Sequence, residues 1–114
     1  MERRTAVFLS RPDDTALRLA GSCALAAAAM GDRVDVFLFG AAVRAVVEAA
    51  DEPGGAAAPL QQARTAGTCR VFACSQSVVE AKVDLGRAEA ALDAVVGWPT
   101  ILEWTRGVAD RFFF

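Results

Sequence analysis

At 114 residues, with 54% hydrophobic and 23% charged residues and a formal net charge of -2, the chain has the makeup of a single folded domain spanning 1–114 rather than of a disordered segment. Its basic residues are eleven Arg and the single Lys82, scattered apart from Arg3 and Arg4, which excludes a basic stripe for a nucleic-acid backbone. The absence of His, and three Cys (23, 69 and 74) without a Cys-x-x-Cys pair, exclude His-dependent triads and the usual zinc sites; no metal or organic cofactor is implied.

In chain order, "TAVFLS" (5–10) is an apolar run closed by Arg-Pro-Asp-Asp, which predicts a strand buried on both faces of a parallel sheet. The run is too short for a secretory signal, and the Ala-rich "LAGSCALAAAAMG" is too short to span a bilayer. With an odd cysteine count suggesting free thiols, the expected location is the cytoplasm, without a membrane partner. From Asp14 or Thr15 the period becomes helical: Leu17, Ala20, Gly21, Ala24, Ala27 and Ala28 form a small-residue face, with a cap from Asp13, Asp14 or Thr15 and a stop at Gly31. Leu19, Cys23, Ala26 and Met30 form a second apolar stripe, to be met by another helix of the same layer or by another subunit.

"RVDVFLFG" (33–40) predicts the second strand, and "AAVRAVVEAA" a helix with Val43, Val46, Val47 and Ala50 on one side. After the loop "DEPGGAAAP", Pro59 opens a short helix over "LQQARTAG"; "CRVFAC" is the third strand and "SQSVVEAK" starts a helix. "RAEAA" is helix-prone, and a fourth strand is expected at about Leu92 to Val96. Gly97-Trp98-Pro99 makes a turn, "TILEWTRGV" a helix with Pro99 at or near its start, and "DRFFF" a fifth strand. Strands alternating with helices imply an α/β fold, a three-layer α/β/α sandwich around a five-stranded parallel sheet with flavodoxin- or Rossmann-like topology.

Ligands of such sheets bind at the carboxyl ends of the strands. Ser10 to Asp14, Gly40, Cys74 to Ser77 and Gly97 to Pro99 fall there, so the candidate site residues are Cys74, with Ser75, Gln76, Ser77, Asp13, Asp14, Gly40, Gly97 and Trp98 around it. A thiol at a helix start faces unpaired backbone N–H groups and the positive end of the helix dipole, which favours the thiolate and suits a persulfide; the competing reading is a small apolar residue that packs. Cys69, at the other end of the same strand, lies roughly 16 Å away at 3.3 Å per residue, too far for a disulfide. Asp13 and Asp14 also begin the acid cluster of Mg²⁺-binding receiver domains, but the third strand ends in Cys74 rather than an acid, so a helix cap with a solvated neighbour is preferred. Trp98 and Trp104 are read as pocket, core or interface residues.

Three pieces together resemble the DsrE/DsrF-like family of the DsrEFH superfamily. They are "VFLSRPDDTALRLAGSCALAAAAMGDRVDVFLFG", "VFACSQS" with its cysteine at a strand end, and the closing "VVGWPTILEWTRGVADRFFF". The resemblance implies a homo-oligomer, often a trimer or hexamer. It also implies a sulfur-relay chemistry, a possible sulfurtransferase in which Cys74 accepts sulfane sulfur from a donor protein as a persulfide and passes it to an acceptor's thiol. Ser75, Gln76 and Ser77 would then be donors to the sulfur. The alternatives are a non-catalytic ligand- or partner-binding oligomeric module with Cys74 lining the pocket, and a thiol redox sensor.

Overall fold

The strands are short runs rich in β-branched and aromatic residues, and α1 and α5 begin at side-chain caps while α3 and α6 carry proline in their first turns. In the computed structural model, which describes residues 2–114, the order is β1 (Arg4–Leu9), α1 (Asp14–Ala29), β2 (Arg33–Leu38), α2 (Ala41–Ala49), α3 (Ala58–Thr65), β3 (Cys69–Cys74), α4 (Ser75–Glu80), α5 (Leu85–Ala91), β4 (Ala94–Val96), α6 (Trp98–Trp104) and β5 (Asp110–Phe113). Asp13 caps α1 by accepting the Ala16 N–H at 3.1 Å, and Pro59 lies in the first turn of α3.

The five strands form one parallel sheet in the order β4-β3-β2-β1-β5. Three successive crossovers step the same way across this sheet, from β1 to β4. Because such crossovers are right-handed, α1 to α5 all lie on one face. The last connection returns from β4 to the far side of β1, and the same handedness puts α6 on the opposite face. The result is a three-layer sandwich of unequal outer layers, five helices against one.

The two cores follow this division. On the thick side Val7, Leu9, Val36, Leu38, Val71 and Ala73 pack against Leu17, Ala20, Val43, Val46, Leu60 and Leu92. On the thin side Ala6, Phe37, Phe72 and Cys74 pack under Ile101, with Phe8, Phe39 and Trp104 partly buried beside them. Helix α1 meets α3 at Gly21, where a Cβ would stand 2.6 Å from the Leu60 backbone nitrogen, so the close approach requires glycine. The outer stripe of α1 is not covered by another helix of this chain: Leu19, Ala26 and Met30 are exposed and Cys23 half-buried.

The starts of β4 and α6 differ from the sequence reading. Strand β4 starts at Ala94 rather than Leu92, because buried Leu92 terminates α5 and the Asp93 carboxylate accepts the Val71 N–H at 2.7 Å while pairing with Arg64. Helix α6 takes in Trp98, with Gly97 as its cap and Pro99 in its first turn.

Candidate functional site

The unequal layering fixes where the sheet can hold a ligand. The connection after β3 leaves toward the thick layer through α4, and the connection after its neighbour β4 leaves toward the thin layer through α6. Adjacent strands whose connections part in this way open a crevice at their carboxyl ends. The register pairs Cys74 with Val96 at this point, so the crevice lies between Cys74-Ser75 and Gly97-Trp98. A Cβ on Gly97 would come within 3.7 Å of the Ser75 hydroxyl oxygen, which shows how near the two loops run.

Cys74 itself closes β3 and is the N-cap residue of α4, with extended backbone at φ -68° and ψ 126°. Strand alternation turns its side chain to the thin side, in line with Phe72 and away from α4. There it is 2% exposed, beneath Ile101 and among Phe37 and Phe72. Its sulfur makes no capping bond to α4, a helix of six residues. The three residues after it are engaged otherwise: Ser77 Oγ accepts the Gly40 N–H at 2.9 Å, Gln76 donates to Glu80 at 3.0 Å, and Ser75 is exposed beside Gly97. The expected arrangement, with Ser75 to Ser77 donating to the sulfur, is therefore not the one adopted. The physical reason is that the strand's alternation, not the helix axis, sets the direction of the Cys74 side chain.

The Ser77–Gly40 bond ties the end of β2 to α4 and forms the wall of a cleft of about 370 Å³ lined by Gly40, Ala41, Arg44, Ser77, Glu80 and Ala81. Gly40 has φ 57° and ψ -137°, a backbone that a side chain would strain, and it lets the chain turn directly into α2. Arg44 spans the cleft and donates to the Ala81 and Lys82 carbonyls at the end of α4 while pairing with Glu48 at 3.2 Å. On the thin side Trp98 is half exposed and stacks on Phe39 at 5.2 Å. Cys74, Ser75, Ser77, Gly40, Gly97 and Trp98 are thus gathered at the ends of β2, β3 and β4.

Asp13 and Asp14 are not part of that group. They follow β1, which is separated from β3 by β2, and Asp13 is occupied as the α1 cap and in a two-point contact with Arg11 at 3.1 and 3.2 Å. The Arg11 bond, seconded by the Ala16 N–H, holds the Asp13 carboxyl below the usual range. Of the other thiols, burial pushes Cys69 up to about 12, with Asp93 and Asp35 adding to the shift, and burial also raises Cys23. Among the described residues no group of three or more Cys, Asp or Glu is placed to hold a metal ion, and no helix is long and apolar enough to cross a membrane.

Two features were missed from the sequence. One is Arg44, which was not singled out there. The other is the aromatic lining of the thin side, in which Phe113, Phe8, Phe37, Phe72 and Trp104 follow one another with ring centroids 4.8–5.6 Å apart. The alternation of Phe37 with Phe39 and of Phe72 with Cys74 was the available signal, since residues two apart share a face.

A parallel five-stranded α/β sandwich with a crevice at the β3–β4 ends defines the class of protein. The family model for the DsrE/DsrF-like family matches residues 3–112, and the chain belongs to that family. Among solved structures it is similar to the ychN protein from E. coli, at 19% identity and a TM-score of 0.61 with both chains covered in full. That likeness establishes the fold. No curated protein matches the chain. Family membership suggests a protein of the sulfur-relay type.

Proposed function

We propose that this chain is a sulfur-relay-type protein that acts as a homo-oligomeric binding module, holding a small ligand or a partner's tail in the cleft between the end of β2 and α4, with Cys74 packed under α6 on the other side of the sheet and not lining that cleft. The observation that carries this reading is the seating of Cys74 beneath Ile101, among Phe37 and Phe72, with its sulfur given no capping bond by α4. An anionic persulfide there would meet apolar side chains instead of donors, and an unpaired buried charge is costly. The cleft at the end of β2 offers a mixed lining, with Ala41 and Ala81 for apolar contact and Arg44 and Glu80 as charged groups. The exposed stripe of α1 supports self-association.

The second reading is a persulfide carrier, in which Cys74 accepts sulfane sulfur and passes it on. It is favoured by the place of Cys74 at the sheet's crevice, opposite Val96, and it requires α6 to lift Ile101 away before sulfur can enter. A single experiment separates the two. The protein is incubated with a sulfane-sulfur donor and weighed by mass spectrometry, alongside Cys74→Ser, Cys23→Ser and Cys69→Ser. Absence of a reducible one-sulfur gain is the expected result. A gain that disappears only in Cys74→Ser would overturn the binding-module reading and establish the carrier.

A further inference from the structure

We infer that β5 is the self-association surface: two copies join edge to edge, with their β5 strands antiparallel about a two-fold axis at Phe112, making one ten-stranded sheet. This rests on the homo-oligomer reading above and names its surface. Strand β5 is an edge of the sheet. The other edge, β4, is blunted by being three residues long, whereas β5 carries Phe112 and Phe113, which are 42% and 72% exposed. Such an edge is a template for another strand unless something covers it.

The pairing already made by β5 decides which groups face outward. Phe114 donates to the Phe8 carbonyl at 2.7 Å and accepts from Ser10 N–H at 2.9 Å, so Phe114 faces β1. In a parallel ladder alternate residues bond to a given neighbour, which turns the N–H and C=O of Arg111 and Phe113 to the open edge. Two copies related by a two-fold axis at Phe112 set Arg111 of each directly against Phe113 of the other, as hydrogen-bonded pairs with four backbone bonds in all. The side chains of such pairs share a face, so each Arg111, whose guanidinium donates to the Thr105 carbonyl of its own chain at 3.0 Å, would run beside the partner's aromatic ring. Centring the axis on Arg111 instead would oppose two like charges. The edge is complementary to itself about Phe112, which is why a second copy is the occupant.

The side chains on the thick side agree. Phe112 projects there, lining a hollow of about 280 Å³ with Cys23, Ala26 and Met30 of α1, and Met30 is 81% exposed. The two Phe112 rings would meet across the axis and carry the outer stripes of both α1 helices toward each other. A two-fold interface is isologous and gives even numbers of subunits, a dimer or a hexamer of three such pairs.

The test is light scattering on the full chain and on Phe112→Lys, with circular dichroism to verify folding, and mild oxidation of Phe112→Cys in a Cys23→Ser background. In a non-hydrogen-bonded antiparallel pair the Cα atoms are about 4.5 Å apart, within disulfide range. The expected results are an oligomer of even number, a halving of its mass in Phe112→Lys, and an interchain disulfide in Phe112→Cys. An oligomer that keeps its mass in Phe112→Lys and gives no disulfide in Phe112→Cys would overturn this surface while leaving the oligomer reading standing. If Phe112→Lys fails to fold, the disulfide alone decides. A parent protein of 12.0 kDa at all concentrations would overturn both readings.

Discussion

Ser77 accepts the backbone N–H of Gly40 across 2.9 Å, joining the turn after β2 to the first turn of α4. Removing the hydroxyl in Ser77→Ala leaves a half-buried donor without its partner, at a cost of about 1–2 kcal/mol. Urea unfolding should show a lower midpoint at unchanged slope. A midpoint equal to the parent's would mean that the turn holds its shape without α4.

Gly21→Ala is expected to destabilise by about 1–3 kcal/mol, because the added methyl meets the Leu60 backbone, which cannot rotate aside as a side chain could. Ser22→Ala, at the next position on the exposed face of α1, is the control and should lie within about 0.5 kcal/mol of the parent. Equal midpoints for the two variants in denaturant would contradict the close packing of α1 on α3.

Arg70 holds the amino-terminal half of the thin side together. Its guanidinium carbon lies 5.0 Å from the Phe72 ring centre and 5.1 Å from that of Trp104, and its Nε donates to buried Asp35 at 3.2 Å. Arg70→Ala should cost about 1–3 kcal/mol, mostly by leaving Asp35 without its partner. Near-ultraviolet circular dichroism should change with it, since Trp104 loses its neighbour. In Arg70→Met with Asp35→Asn, part of the stability should return; no recovery would show that the ring contacts, not the ion pair, dominate.

The thiols give an alkaline signature. Cys69 holds its proton to about 12 in the folded state, while the unfolded thiol releases it near its ordinary value of 9.0. Between those values the unfolded state binds fewer protons, so stability falls with rising pH, by up to about 1.4 kcal/mol per pH unit. Below pH 9 the contribution is fully present. Stability curves of the parent and Cys69→Ala between pH 8 and 11 should differ in slope only above about 9. Parallel curves would contradict the burial of this thiol.

Alkylation of the folded protein should proceed in order of exposure. Half-buried Cys23 should react first, and Cys69 and Cys74 only as fast as the structure opens. Peptide mapping after partial reaction checks this. Early modification of Cys74 would show that α6 lifts readily, and would favour the carrier reading.

The elements themselves were legible because each carries its own period and punctuation: Asp13 before α1, Gly40 before α2, Pro59 in α3, Gly97 before α6. For the same reason the positions of Cys74, Ser75, Ser77, Gly40, Gly97 and Trp98 at the strand ends could be read. What could not be read was the order of strands. Nothing local in "DRFFF" says that it returns beside β1, yet that return puts five helices on one face and leaves one to cover Cys74. The direction of the Cys74 side chain follows from β3, and reading it from the helix start alone gave the sulfur donors it does not have.

The pairing of Thr5 with Asp110 has a consequence for synthesis. Strand β1 is made before its neighbour β5, with β2 to β4 between them, so a nascent chain that folds as it emerges can stack β1 through β4 while one side of β1 stays open. Over that interval the backbone beside Phe8 has no neighbour of its own, and the growing chain is most exposed to pairing with a strand from another ribosome's product.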